Sequence, residues 1–326
     1  MMYFDIHGHN AGLLPFILRA ATLFRMPKDR SVKEIISAGL TGGLICAIGD
    51  PETYGFRDLK NDTKTVLNQI SDIGKSICEN GSVIVLSPAE LKEIADADRS
   101  GFILGIEGGD FIDDEMSAVD AVYKAGVRLI APMHYSINSL GSIDLGWKGR
   151  IIPEGDKTGL TEKGLRFVQK ANDNGIIIDL AHADEMTIAE AAGRSRTPVI
   201  CSHTGPRALT GYGRHITDLS LKLIAQSGGV IGLWPFLNRG EGTIDSDAFK
   251  KQALYMRNLI GAEHMAVGTD FNGVPGYMKG YRDITESWKI MNLLSSAGFT
   301  DDETEGIAGR NFLRVFNDVD SAKNES

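Results

Sequence analysis

Gly175-Ile176-Ile177-Ile178-Asp179-Leu180-Ala181-His182 is apolar for most of its length and ends on a histidine. A strand buried on both faces of a parallel sheet reads this way, because neither face meets water until the strand emerges at its C-terminal end. Seven further stretches share the pattern, at residues 2–9, 40–49, 102–110, 127–134, 198–203, 229–236 and 264–272. Between and after them, apolar residues recur at helical spacing in 63–80, 116–125, 162–174, 185–192, 219–227, 248–260 and 285–297. Ser87-Pro88-Ala89-Glu90 combines an N-cap, a proline at the first helical position and a glutamate three residues after the cap, and Thr300-Asp301-Asp302-Glu303 repeats the box without proline. Eight strands alternating with helices predict a (β/α)8 barrel of the TIM type. The domain is expected to span residues 1–326, with a polar, frayed tail from about 318. A doubly wound open sheet is the alternative, but no Gly-x-Gly-x-x-Gly follows the first strand, so its nucleotide-binding form gains no support.

Composition narrows the function class. The chain carries a net charge of −9, with 42% hydrophobic and 24% charged residues. It shows no cluster of Lys and Arg interleaved with aromatics, which argues against nucleic acid or an anionic membrane as partner. Cys46, Cys78 and Cys201 are odd in number and far apart, so neither a disulfide framework nor a thiolate zinc site is expected. A reducing compartment, the cytoplasm, fits best. No apolar stretch is long enough to span a bilayer, and the N-terminal run lacks the parts of a signal peptide, so no membrane anchor is expected.

The polar residues fall where a barrel would bring them together. His7, His9, Glu107, His134, His182, His203 and Asp270 all close proposed strands, and the C-terminal strand ends of a barrel converge on one mouth. His7-Gly8-His9 places two imidazoles on one face of a strand, able to grip one ion, although an isolated His-x-His is as easily a chance pair. Glu107 follows a fully apolar run, so its carboxylate enters a desolvated mouth and needs a cation; taken alone, Glu-Gly-Gly is an ordinary turn. His182 and His203 end different strands and are the best remaining zinc ligands, or else hydrogen-bonded core histidines. Asp270, in Gly268-Thr269-Asp270-Phe271-Asn272-Gly273, could ligate metal, take a proton from metal-bound water, or simply open a turn. Arg214, in the glycine-rich Gly211-Tyr212-Gly213-Arg214-His215, could clamp a carboxylate bidentately.

Taken in order, Asp5-Ile6-His7, Gly105-Ile106-Glu107-Gly108-Gly109, His134 with Asn138, the run from Gly159-Leu160-Thr161 to Asp179-Leu180-Ala181-His182, Pro198-Val199-Ile200-Cys201-Ser202-His203, Arg214, Val267-Gly268-Thr269-Asp270-Phe271 and Gly309-Arg310-Asn311-Phe312 resemble the renal, or membrane, dipeptidases, the M19 metallopeptidases of the amidohydrolase superfamily. The resemblance covers nearly the whole chain. It implies two zinc ions per chain, bridged by Glu107, one held also by the His7 strand with His9 and the other by His182 and His203. It further implies hydrolysis of a dipeptide or dipeptide-like amide by a metal-bridging hydroxide. Asp270 would handle the proton, His134 would polarise the scissile carbonyl, and Arg214, with His134 and Asn138, would bind a small substrate carrying a free carboxylate. A homodimer is compatible with the resemblance.

Three departures stand out. His9 replaces the aspartate usual in the first strand, Asp110 stands where a histidine is common, and Asn272 stands where an aspartate is common. Asp110 is a candidate for restoring the lost negative charge. The segment Gly43-Leu44-Ile45-Cys46-Ala47-Ile48-Gly49-Asp50 also differs from the usual second-strand ending, which faces substrate. A specialised amidohydrolase acting on a lactam, an N-acyl amino acid or another amide is therefore the second reading. A catalytically weak metal-binding scaffold is the third, and the joint presence of Glu107, Asp270 and Arg214 counts against it.

Overall fold

The computed structural model describes residues 2–10, 32–54, 62–238 and 240–323. Eight parallel strands follow one another around a single sheet. They are β1 (Phe4–Asp5), β2 (Gly42–Ile48), β3 (Gly101–Glu107), β4 (Val127–Ala131), β5 (Ile177–Asp179), β6 (Val199–Thr204), β7 (Ile231–Leu233) and β8 (Met265–Val267). The ring closes between β8 and β1, where Ile6 N donates to Val267 O at 2.9 Å, Asp270 N to His7 O at 3.0 Å and His9 N to Phe271 O at 2.8 Å. The fold is the expected (β/α)8 barrel.

Period-two alternation sorts each strand into two packing layers. Phe4, Leu44, Cys46, Ile103, Leu129, Ile177, Ile200 and Ala266 belong to one buried cluster, which fills the barrel interior. Ile45, Ala47, Phe102, Leu104, Ile130, Ile178, Cys201, Ile231 and Val267 pack outward against the helices. The interior cluster also takes in Phe312, Val315, Phe316 and Val319, and Phe312 stacks on Phe4 at 5.3 Å between ring centroids. The helix Asn311–Ala322 thus covers the end at which the strands begin and leaves the other end for chemistry.

This packing corrects the expectation of a frayed tail from about 318. The helix continues to Ala322 because Val319 is buried in the interior cluster. Of that tail, residues 324–326 lie outside the described residues. The strand ladders are also shorter than the apolar runs. His134 and His182 lie beyond the ladders of their strands and Asp270 lies between the β8 ladder and the isolated Gly8–Phe271 bridge, and His182 and Asp270 adopt left-handed backbone, with φ of 70° and 55°. Such backbone is costly for a residue with a Cβ and gathers at functional sites. A further short strand, Val83–Ile84, pairs with the start of β3; its alternation over two residues is too brief to read from the sequence. The cap of Pro88–Asp96 forms through Ser87, and the box at Thr300 and Glu303 is complete.

Candidate metal centre

Glu107, the last residue of β3, is 2% exposed and stands at the centre of the mouth. Its Oε1 lies 3.0 Å from His182 Nε2, 3.4 Å from His7 Nε2 and 3.7 Å from His203 Nε2. Its Oε2 lies 3.2 Å from His9 Nε2 and 3.3 Å from His134 Nε2. The five sequence-predicted ligands therefore meet, and His134 joins them. Asp270 completes the ring, with Oδ1 3.4 Å from His9 Nε2 and Oδ2 3.9 Å from His203 Nε2.

What surrounds four of the five rings explains why their Nε2 atoms face inward; the Nδ1 of His182 is buried without such a partner. Ser202 Oγ lies 2.9 Å from His7 Nδ1 and 3.0 Å from His203 Nδ1. The backbone oxygen of Cys46 lies 3.2 Å from His9 Nδ1, and the Asp50 carboxylate contacts His134 Nδ1. A ring whose Nδ1 hydrogen is held by an oxygen presents its Nε2 lone pair to the opposite side, the usual arrangement behind a metal-ligating histidine. Asp179 fixes the frame beneath them by accepting from Ser202 N at 2.8 Å and Ala181 N at 3.0 Å. Asp5 does the same at the closure, accepting from His7 N and Thr269 N, both at 3.1 Å. Burial pushes the Asp5 carboxyl up to about 7 against those bonds.

The donor set fits divalent metal. His7 Nε2 and Asp270 Oδ1 are buried and without a hydrogen-bond partner, a condition that costs stability unless something else satisfies them. Two groups, His7 with His9 and Glu107, and Glu107 with His134 and His182, each bring one ligand atom per residue within 4.8 Å of one another. Two ligands on a tetrahedral zinc at ~2.0–2.1 Å are separated by about 3.3 Å, and the Glu107 contacts to His7, His9, His134 and His182 run from 3.0 to 3.4 Å. His203 belongs to neither group, and Arg214 Nη2 approaches its Nε2 at 2.8 Å.

The electrostatics divide the rings: burial lowers the His9 imidazole, but the Asp270 and Glu107 carboxylates outweigh it and raise it to about 10, the response of a carboxylate cluster that calls for positive charge. Burial, then the positive charge of Arg214 and the neighbouring His134, holds the His182 imidazole well below its ordinary range. Burial, His7 and Arg214 do the same for His203, so both rings are neutral and keep a lone pair. Burial raises Glu107, but the imidazoles of His134 and His7 outweigh it and keep the carboxylate ionised.

Two sequence expectations change. Asn138 does not face the cage with a free amide. Its Nδ2 donates to Pro132 O at 2.8 Å and Asp110 Oδ2 at 3.1 Å, while its Oδ1 accepts from Leu140 N at 2.9 Å and Gly141 N at 3.3 Å. It organises the loop after β4. Asp110 is tied to this same loop, through Asn138 and through Ser136 Oγ at 3.0 Å, and burial raises its carboxyl to about 6. The carboxylate that reaches the cage is instead Asp50, fully buried beside His134. The polar end of the apolar run 40–49 was the one signal for it.

Aromatic side chains wall the mouth. Tyr135 packs edge-on against His182 and Trp147 at 5.1 and 4.9 Å. Trp234 stacks on Phe236 at 4.2 Å and carries the Arg214 guanidinium over its ring at 5.2 Å. Among the described residues no helix is long and apolar enough to cross a membrane.

The model of the family described as membrane dipeptidase (peptidase family M19) matches residues 29–326. An uncharacterized protein from the pqqA 5′ region of Klebsiella pneumoniae is 30% identical over 246 residues, 72% of this chain and 88% of that one. An uncharacterized dipeptidase of Schizosaccharomyces pombe is 27% identical over 276 residues, 81% of this chain and 65% of its own length. Among solved structures, the probable dipeptidase PvdM from Pseudomonas aeruginosa superposes with a TM-score of 0.81 at 19% identity, covering 99% of this chain and 96% of that one. A metallo peptidase from Rhodobacter sphaeroides, liganded with a phosphinate mimic of the dipeptide L-Ala-D-Ala, gives 0.81 at 18% identity over 98% and 99% of the two chains. At such identities the structural likeness speaks for the barrel.

Proposed function

Since this chain belongs to the membrane dipeptidase family, peptidase family M19, a family of metallo-dipeptidases, we propose that its mouth carries out zinc-dependent hydrolysis of a dipeptide or dipeptide-like amide with a free carboxylate. The observation behind this reading is the gathering of Nε2 atoms around the Glu107 carboxylate, with Asp270 and Arg214 at its rim. His7, His9, Glu107, His182 and His203 would hold the metal, with two zinc ions expected per chain. A zinc pair supplies water acidified to a pKa of about 7 and a Lewis acid for the carbonyl oxygen.

The remaining roles belong to the chain's own side chains. Asp270 takes the proton from the attacking water as the C–O bond forms and the carbonyl π pair moves to oxygen, and returns it to the amine nitrogen as that pair comes back and the amide C–N bond breaks. Its Oδ1, buried and unpartnered, is available for that proton. His134 turns Nε2 toward the cage and steadies the carbonyl oxygen as negative charge develops on it. Arg214, 5% exposed and braced on Trp234, pairs with the substrate carboxylate through its forked donors. Tyr135 and Trp147 narrow the mouth around the substrate and limit its water.

Elemental analysis of protein purified without added metal, beside assays on L,L and L,D dipeptides, tests this reading. Two zinc equivalents per chain and turnover abolished by chelation are expected. Full turnover in metal-free protein would overturn it.

A further inference from the structure

We propose that Asp50 is a positioning residue for this chemistry, holding the Nδ1 hydrogen of His134 so that the ring's Nε2 is fixed toward the Glu107 carboxylate and the substrate carbonyl. The inference rests on the reading of His134 given above. An ionised carboxylate only accepts, so the contact between Asp50 Oδ2 and His134 Nδ1 makes Nδ1 the donor. Ring rotation that would present Nδ1 to the cage then costs a buried charge-assisted hydrogen bond.

Asp50 is itself held firmly. Gly49 N donates to Glu107 O at 2.7 Å. One residue earlier, the Gln69 amide clasps Ile48, accepting from its N at 3.1 Å and donating to its O at 2.9 Å. The ends of β2 and β3 approach so closely that a Cβ at Gly49 would stand 2.0 Å from Gly108 O. Glycine at 49 thus lets the chain bring Asp50 against the Glu107 strand. Both Asp50 and His134 are buried, at 0% and 4% exposure, so water does not substitute for either partner. His9, His7 and His203 find neutral oxygens at Nδ1. Among these rings His134 alone has a carboxylate in hydrogen-bond contact with Nδ1, since the nearest one to His7 Nδ1, Asp179 Oδ2, stands 3.8 Å away.

The test uses the full-length protein. In Asp50→Asn the amide can donate to Nδ1 and switch the tautomer. The expected result is a loss in kcat of about 10–100-fold, with KM and the melting temperature of the metal-free protein little changed. Long-range 1H–15N spectra of metal-free wild type should show His134 protonated at Nδ1, and this signature should be lost in Asp50→Asn. Unchanged kcat with an unchanged Nδ1 signal would overturn the proposal. Should the variant fold poorly, the wild-type spectrum decides, because an unprotonated Nδ1 contradicts the assignment directly. His134→Gln separates the two readings. If it keeps kcat, the role given to His134 is wrong; if it loses kcat while Asp50→Asn keeps both kcat and signal, only the role of Asp50 is wrong.

Discussion

Arg214 Nη2 stands 2.8 Å from His203 Nε2. A guanidinium has no acceptor, so His203 accepts there and keeps its hydrogen on Nδ1, toward Ser202 Oγ. A metal held by His203 would compete with the guanidinium for this lone pair and would leave the Arg214 fork free for another acceptor close by, the proposed one being a substrate carboxylate.

Arg214→Met should therefore weaken binding of dipeptides with a free carboxylate. A hydrogen bond to a charged group contributes about 1.5–3 kcal/mol, roughly a 10–100-fold rise in KM. Dipeptides amidated at the C-terminus should be affected far less. Comparing kcat/KM for the free and amidated forms checks this, and an unchanged ratio between them in the variant would refute the carboxylate role.

Ser202→Ala removes the shared acceptor from His7 and His203 at once. Both Nδ1 positions lose the Ser202 oxygen that stands at hydrogen-bond distance, and partners of this kind typically set metal affinity by about 10–100-fold. Titration against a competing chelator should show weaker zinc binding in the variant, with Cys201 and the rest of β6 still folded by circular dichroism. Equal affinities would mean that the rings are oriented by packing alone.

The barrel was legible because parallel strands buried on both faces must be apolar throughout, and the polar residue that ends each run marks the mouth. The same logic found His7, His9, Glu107, His182, His203 and Asp270 as neighbours. It could not find Asp50, whose partner lies 84 positions away; one acidic residue after a strand has no period or spacing to set it apart. The hydrogen bonds of Asn138 were hidden for the opposite reason. It follows His134 in a loop facing the mouth, but the demand of buried backbone N–H and C=O groups for partners turned its amide toward the loop itself. Ladder ends were misplaced because the apolar pattern continues past the end of each ladder, through the left-handed turns at His182 and Asp270.

His215 should make the protein sensitive to acid. Burial, with Arg214 and Arg207 nearby, pushes its imidazole down to about 3. Its Nε2 is buried without a partner, while Nδ1 meets Thr210 Oγ1 at 2.7 Å. The neutral form is native, and the unfolded chain protonates near the ordinary value of about 6.5. Its contribution is thus complete above about 6.5 and is lost as pH falls from there toward 3, by up to roughly 1.4 kcal/mol per pH unit. Urea unfolding of metal-free protein between pH 7 and 5 should show a steeper fall for wild type than for His215→Gln. Parallel slopes would show that His215 does not titrate differently in the two states.

Asp270→Asn addresses the proton itself. The amide keeps the shape and one acceptor oxygen, so the loop held by Asp270 N to His7 O and the amide of Asn272 on His9 O at 2.9 Å should persist. What disappears is the capacity to carry a proton from water to the leaving amine. General acid–base groups contribute about 10²–10⁴-fold, and kcat should fall by that range while KM changes little, since Arg214 and the aromatic wall still bind the substrate. Metal content must be measured in the same preparation, because Asp270 Oδ1 is also 3.4 Å from His9 Nε2. Loss of kcat with full metal assigns the proton transfer to Asp270; loss of both in proportion makes it a ligand instead, and retention of kcat removes it from the chemistry.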